Sequence, residues 1–189
     1  MCLISVLPKG TVKDNAKVLA FIRQGAKCNR QGSGFMYKKN NSDEITISKG
    51  FFDVEKLIES LILLNLTADD ELVIHHRIGT SGGITPENTH PFVVSRDGDL
   101  SKELNLTTNL PCMVHNGVFW GIGSYELLDE TMSDTYAFAT HIMSRRGVMS
   151  MFLEDEDMFT YMFRSIIGSD KLCFLFPDRD LKMYGTYVE

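Results

Sequence analysis

The chain has no long run of consecutive basic residues, and its net charge is −6, which argues against a nucleic-acid partner or an anionic membrane surface. No stretch approaches the roughly 18 apolar residues of a membrane-spanning helix. The first apolar run, Leu3 to Leu7, is too short for a secretory h-region and meets Pro8-Lys9-Gly10 where a cleavage site would stand. The four cysteines, Cys2, Cys28, Cys112 and Cys173, include no CxxC pair. A chain of 189 residues with 43% hydrophobic content can build a core without staples, so a reducing, cytoplasmic setting is expected, with Cys28, Cys112 and Cys173 as packing residues. Neither GxGxxG nor a phosphate loop is present. With no repeat, linker or low-complexity tract, residues 1–189 read as a single domain.

What is present is a regular alternation of short apolar runs and polar breaks. Leu3 to Leu7 reads as a strand that Pro8 and Gly10 end. Val18, Leu19, Ile22 and Ala26 recur at helical spacing between Asp14 and Asn29. Phe35 to Lys39 and Glu44 to Lys49 read as a hairpin across Asn40-Asn41-Ser42-Asp43. Asp53 is placed to cap a helix whose apolar face is Val54, Leu57, Ile58, Leu61 and Ile62. Glu71 to Arg77 reads as a strand that changes abruptly from apolar residues to His75-His76-Arg77. Residues 78–109 read as a long glycine-rich loop with room for one short strand near Phe92 to Ser95. Pro111 to Phe119 reads as two strands about an Asn116-Gly117 turn. Ser133 can cap a helix through Ala137, Phe138 and Ile142. A further helix follows Glu154-Asp155-Glu156-Asp157, with Phe159, Met162, Phe163 and Ile166 on its apolar face. Leu172 to Phe176 and Leu181 to Val188 read as a closing hairpin. Seven to nine strands, hairpin-linked, with two helices early and two late, predict an α+β fold of mainly antiparallel sheet covered by helix pairs.

Chemistry enters at Cys2. If Met1 is removed, this residue carries both a thiol and a free α-amine, so nucleophile and general base share one residue. The amine titrates near ~7.7 to 8.0 and a free thiol near ~8.5, so both are usable close to neutral pH. Taken alone, Cys2 reads better as a small buried hydrophobe, Asn116-Gly117 as an ordinary hairpin turn, and Ser133-Asp134 as a helix cap. His75 and His76 are adjacent on a strand and so face opposite ways, and no carboxylate or cysteine falls at ligand spacing, so no metal and no cofactor is expected.

The order of the motifs adds what the single residues lack. Met1-Cys2, Asn29-Arg30-Gln31-Gly32-Ser33-Gly34-Phe35, His75-His76-Arg77-Ile78-Gly79-Thr80-Ser81-Gly82, Asn88-Thr89-His90-Pro91, His115-Asn116-Gly117 and Ser133-Asp134-Thr135 together resemble the class II glutamine amidotransferase domains, over residues 1 to about 140. The resemblance implies an N-terminal nucleophile hydrolase fold, a four-layer αββα sandwich of mainly antiparallel sheets. It implies Cys2 as the nucleophile on the glutamine side-chain carbonyl, with its α-amine relaying the proton. Asn116 (side chain) and Gly117 (amide) would form the oxyanion hole. Arg77, assisted by Thr80, would hold the substrate α-carboxylate, Asp134 its α-ammonium, and His90 would order the glutamine loop, with His115 bracing the Asn116 turn.

The expected function is that of a stand-alone glutaminase module, converting L-glutamine and water to glutamate and ammonia through a thioester on Cys2, once Met1 is gone. No acceptor domain is evident, so the ammonia would pass to a separate acceptor protein. The alternatives are hydrolysis of another γ-glutamyl amide by the same cysteine, or a non-catalytic relative that uses the pocket for binding or assembly.

Overall fold

The strand ends, more than the strand middles, determine where this fold can do chemistry. The structure, a computed structural model, describes residues 2–122 and 131–188. Nine strands lie among them: β1 (Leu3–Leu7), β2 (Ser33–Lys38), β3 (Ile45–Phe51), β4 (Glu71–His76), β5 (Phe92–Val93), β6 (Asn105–Thr108), β7 (Cys112–Asn116), β8 (Lys171–Leu175) and β9 (Lys182–Tyr184). The helices are α1 (Ala16–Cys28), α2 (Val54–Leu63), α3 (Asp134–Ala137), α4 (Arg146–Glu154) and α5 (Glu156–Ile167). One sheet has the order β1-β4-β2-β3-β6 and the other β5-β7-β8-β9. Every pairing in both is antiparallel, so the fold is α+β with two antiparallel sheets.

Three apolar clusters hold the elements together. Met36, Ile45, Ile47 and Val73 of the first sheet meet Val93, Cys112, Val114, Cys173 and Leu175 of the second. Successive strand residues face opposite ways, so the other face of the first sheet presents Phe35, Leu72 and Ile74, which pack with Ile22 of α1 and Leu57, Ile58 and Leu61 of α2. The other face of the second sheet presents Met113, Leu172 and Phe174, which pack with Phe138, Phe152, Phe159 and Ile167 from the later helices. Each fully buried Leu, Ile or Phe contributes roughly 1.5–3 kcal/mol, so these clusters carry most of the driving force for folding.

Several local expectations change in the structure. Asn15 caps α1, its side chain accepting from the Val18 N–H. Asp53 and Ser133 cap α2 and α3 as expected. The 78–109 loop contains a second strand, β6, on the edge beside β3. The stretch after Gly117 is not a strand, because β7 is already paired with β5 and β8. A third late helix, α4, precedes α5, and the segment after α3 widens into a π-helix over Phe138–Met143. Cys112 and Cys173 are buried, whereas Cys28 is exposed. Ile62 and Met162 are about half exposed, at 49% and 56%, so the buried faces of α2 and α5 are narrower than their periodicity suggests. No helix of the described residues is long and apolar enough to cross a membrane.

Candidate active site

Register brings the motifs together. Leu3 of β1 and Ser33 of β2 both pair with His76 of β4, so the start of two strands and the end of a third coincide. Cys2, the Gly32 turn and Arg77 therefore stand at one end of the first sheet. The Arg77 N–H donates to the Gly32 carbonyl at 2.8 Å, and Gly32 supplies the left-handed φ of +100° that this turn needs. In the second sheet Asn116 pairs with Lys171, and β1 crosses β7. By strand alternation Cys2 shares the face of Ile4 and Val6, and Asn116 shares that of Cys112 and Val114, both belonging to the inter-sheet core. The two strand ends thus open on the same cleft.

Cys2, Arg77, Thr80, His90, Gly117 and Asp134 line that cleft, with His115, Ser81 and Thr135 beside them. Asn116 lies between two lining residues, His115 and Gly117, and its Oδ1 is buried with no hydrogen-bond partner among the described residues. Met1 lies outside the described residues. The wider grooves, between α1 and Phe52 and along β3 and β6, contain no cysteine, histidine or acid and so lack the parts for acyl transfer.

The Cys2 thiol is half-buried, with Sγ 3.3 Å from the Ile78 carbonyl and 3.4 Å from its amide nitrogen. Burial pushes this thiol up, and the Ile78 backbone hydrogen bond pulls it partly back. A neutral thiol at pH 7 needs a base before it can act as a nucleophile. Arg77 is 2% exposed. Its guanidinium donates to the Ser81 carbonyl at 2.7 Å and to the Gly83 carbonyl at 3.0 Å, folding the 78–83 loop around the charge. Two of its five N–H donors are engaged this way. The Gln31 N–H donates to the Arg77 carbonyl at 3.1 Å, and its side-chain oxygen accepts from the Gly79 N–H.

Asp134 is held as firmly. Its Oδ1 accepts from the Ser81 hydroxyl at 2.7 Å and the Thr135 N–H at 2.9 Å, and its Oδ2 from the Phe119 N–H at 2.8 Å. A carboxylate has about four lone-pair directions, and described residues fill three of them. Asn88 fixes the approach to α3, its side chain donating to the Thr131 carbonyl at 2.6 Å and accepting from the Ser133 N–H at 2.8 Å.

Behind the cleft lies a stack of imidazoles. His75 donates from Nε2 to the His115 carbonyl at 2.9 Å, and its ring lies 3.9 Å from that of His90. His76 points the other way, bonding Ser33 Oγ at 2.7 Å, as adjacent strand positions require. His90 is 3% exposed, and neither ring nitrogen has a partner among the described residues. Burial holds His75 down at about 3 and His76 at about 4, and pushes His90 well below the usual imidazole range. An unfolded chain protonates these rings near ~6.5, so below that pH it binds more protons than the folded one. Stability is therefore lost as pH falls from about 6.5 toward 4, by about 3 kcal/mol or more. Urea unfolding at pH 7, 5.5 and 4.5 measures this; a flat profile would contradict the neutral, buried stack.

Ser81, Gln31, Asn88 and Asp170 contribute to the site through hydrogen bonds that the sequence reading did not assign. Gln31, Ser81 and Asn88 sit inside the quoted motifs, yet a polar residue in a loop reads the same whether it caps a turn or spans 50 residues. Comparison with protein-family models and with curated proteins gives no match for this chain.

Proposed function

We propose that the protein is a glutaminase of the class II amidotransferase type, with a four-layer αββα fold. The observation that carries this reading is the convergence on one cleft of Cys2, Arg77, Thr80, His90, Gly117 and Asp134, residues spread over more than a hundred positions. The fold reading is supported by the three apolar clusters, which are what helices, two stacked sheets and further helices would bury between them.

In this reading Arg77 and Asp134 hold the α-carboxylate and α-ammonium of L-glutamine, with Thr80 and His90 shaping the cleft. The α-amine of Cys2 takes the thiol proton as Sγ adds to the side-chain carbonyl. The Gly117 N–H and the Asn116 carboxamide stabilise the oxyanion. The C–N bond breaks, the amine returns its proton to the departing ammonia, and a γ-glutamyl thioester remains on Cys2. Water adds to the thioester, and glutamate leaves with the thiol restored. The ammonia serves a separate acceptor protein.

The test is glutamate release from glutamine by protein whose N-terminus is shown by intact mass to be Cys2, compared with a form carrying a non-removable N-terminal extension. General-base catalysis contributes about 10² to 10⁴-fold, and a loss of that size is expected in the extended form. Equal rates would overturn the α-amine mechanism.

A further inference from the structure

Asp170 lies outside every motif discussed above, in the turn between α5 and β8. Because Lys171 pairs with Asn116, the residue before β8 comes to lie beside the residue after β7. Its carboxylate Oδ2 accepts from the Val118 N–H at 2.9 Å and lies 2.9 Å from His115 Nε2. A carboxylate only accepts, so that nitrogen carries a proton, and Nδ1 bonds the Thr135 hydroxyl at 2.9 Å. The carboxylate also fills the space beside Gly117, where a Cβ would collide with it. Asp170 itself is anchored, its N–H donating to the Ile167 carbonyl at 3.0 Å, and its side chain is 13% exposed.

We infer that Asp170 is the positioning residue of the Gly117 turn: it fixes the direction of the oxyanion-hole amide without touching substrate. This rests on the glutaminase reading for its catalytic consequence. The Gly117 N–H belongs to the peptide that joins it to Asn116. That peptide is held on one side by the β7–β8 ladder and on the other by the Asp170 bond to Val118. With His115 bridging from Asp170 to Thr135, the turn is also tied to the start of α3, where Asp134 sits. A hydrogen bond to a developing oxyanion is useful only if its donor is already aimed, and misplacement by about 1 Å can cost about 10²-fold.

The test is Asp170→Ala, which removes the Oδ2 that accepts from both the Val118 N–H and His115 Nε2, whereas Asn would keep an acceptor oxygen there. The expected result is a kcat for glutamine about 100-fold lower, with KM changed by less than about threefold. Alkylation of Cys2 by iodoacetamide, which displaces iodide and forms no oxyanion, should keep its wild-type rate. Hydrogen exchange at the Val118 amide should be slow in the unaltered protein and faster in the variant. Gly117→Ala, which displaces the same carboxylate from the other side, should reproduce the kcat-selective loss.

A wild-type kcat in Asp170→Ala, or Val118 exchange as fast as an open loop in the unaltered protein, would overturn the inference. Equal losses in iodoacetamide alkylation and in kcat would also overturn it, since they would mark general damage. An unaltered protein that leaves glutamine intact would remove the glutaminase reading and Asp170's catalytic part with it. The exchange rates at Val118 would then still decide whether Asp170 holds the turn.

Discussion

Cys2→Ala is expected to abolish glutamate release, by on the order of 10⁴-fold or more, the scale of losing a covalent nucleophile. The loss should be chemical and not conformational. Among the described residues Cys2 Sγ makes two long hydrogen bonds, both to the backbone of Ile78, and the strand it precedes is held by five residue pairs between Leu3 and Leu7 on one side and Leu72 and His76 on the other. Removing the sulfur should therefore shift the unfolding free energy by about 1 kcal/mol at most. Glutamine should still bind to the variant, because the groups assigned to its zwitterion, Arg77 and Asp134, are fixed by partners other than Cys2. Calorimetric binding alongside a turnover assay separates the two effects. Turnover within about tenfold of the unaltered protein would remove Cys2 from the mechanism. Cys2→Ser should also be strongly impaired, because an alcohol is a weaker nucleophile than a thiol at the same position and its proton is harder to remove.

The parts of this fold that sequence made legible are those where one periodicity ruled. The α1 and α2 stripes, the β2–β3 hairpin and β8 all have an apolar set that fits only one secondary structure, whereas the strand expected over Leu181 to Val188 is reduced to Lys182–Tyr184. The missed elements are those whose order comes from their neighbours. β6 is Asn105-Leu106-Thr107-Thr108, alternately exposed and half-buried. It is a strand because β3 offers it a free edge, with Thr46 bonding Thr107 and Ser48 bonding Asn105 through their side chains. α4 begins at Arg146-Gly147 with no side-chain cap, so it carries no start signal and is held by the burial of Phe152 against Phe159 and Phe174. The expected strand after Gly117 fails because the Val118 N–H goes to Asp170 and the Phe119 N–H to Asp134. Side chains from distant segments have taken the donors that a hairpin would have used.

The site divides along the same line. Residue types with chemical meaning could be picked out in order, but the partners that orient them could not. Arg77 was legible as a cation at a strand end, whereas its bonds to Ser81 and Gly83 depend on how the 78–83 loop closes. The Asp134 carboxylate was legible as a helix cap or an ammonium partner, and in the structure it also joins Ser81 to Phe119.

Arg77→Lys is expected to raise KM for glutamine about 100-fold with a smaller change in kcat. A lysine keeps the charge but replaces a planar fork with a single rotating ammonium. It cannot span the Ser81 and Gly83 carbonyls and also offer paired N–H groups to a carboxylate. Losing charge-assisted hydrogen bonds of this kind costs about 1.5 to 3 kcal/mol each, and one such loss at the upper end corresponds to about 100-fold in binding. The ammonium is also more strongly hydrated, so keeping it at a position that is 2% exposed costs more than keeping the guanidinium there. Loosening of the loop alone would produce a loss too, and a second substrate separates the causes. 4-Aminobutanamide has the side-chain amide and the amine of glutamine but no α-carboxylate. It should be a poor substrate for the unaltered protein and lose little further in Arg77→Lys, because the contact removed is one it never makes. If the variant turned over both compounds with the same proportional loss, Arg77 would be holding the loop and not the carboxylate.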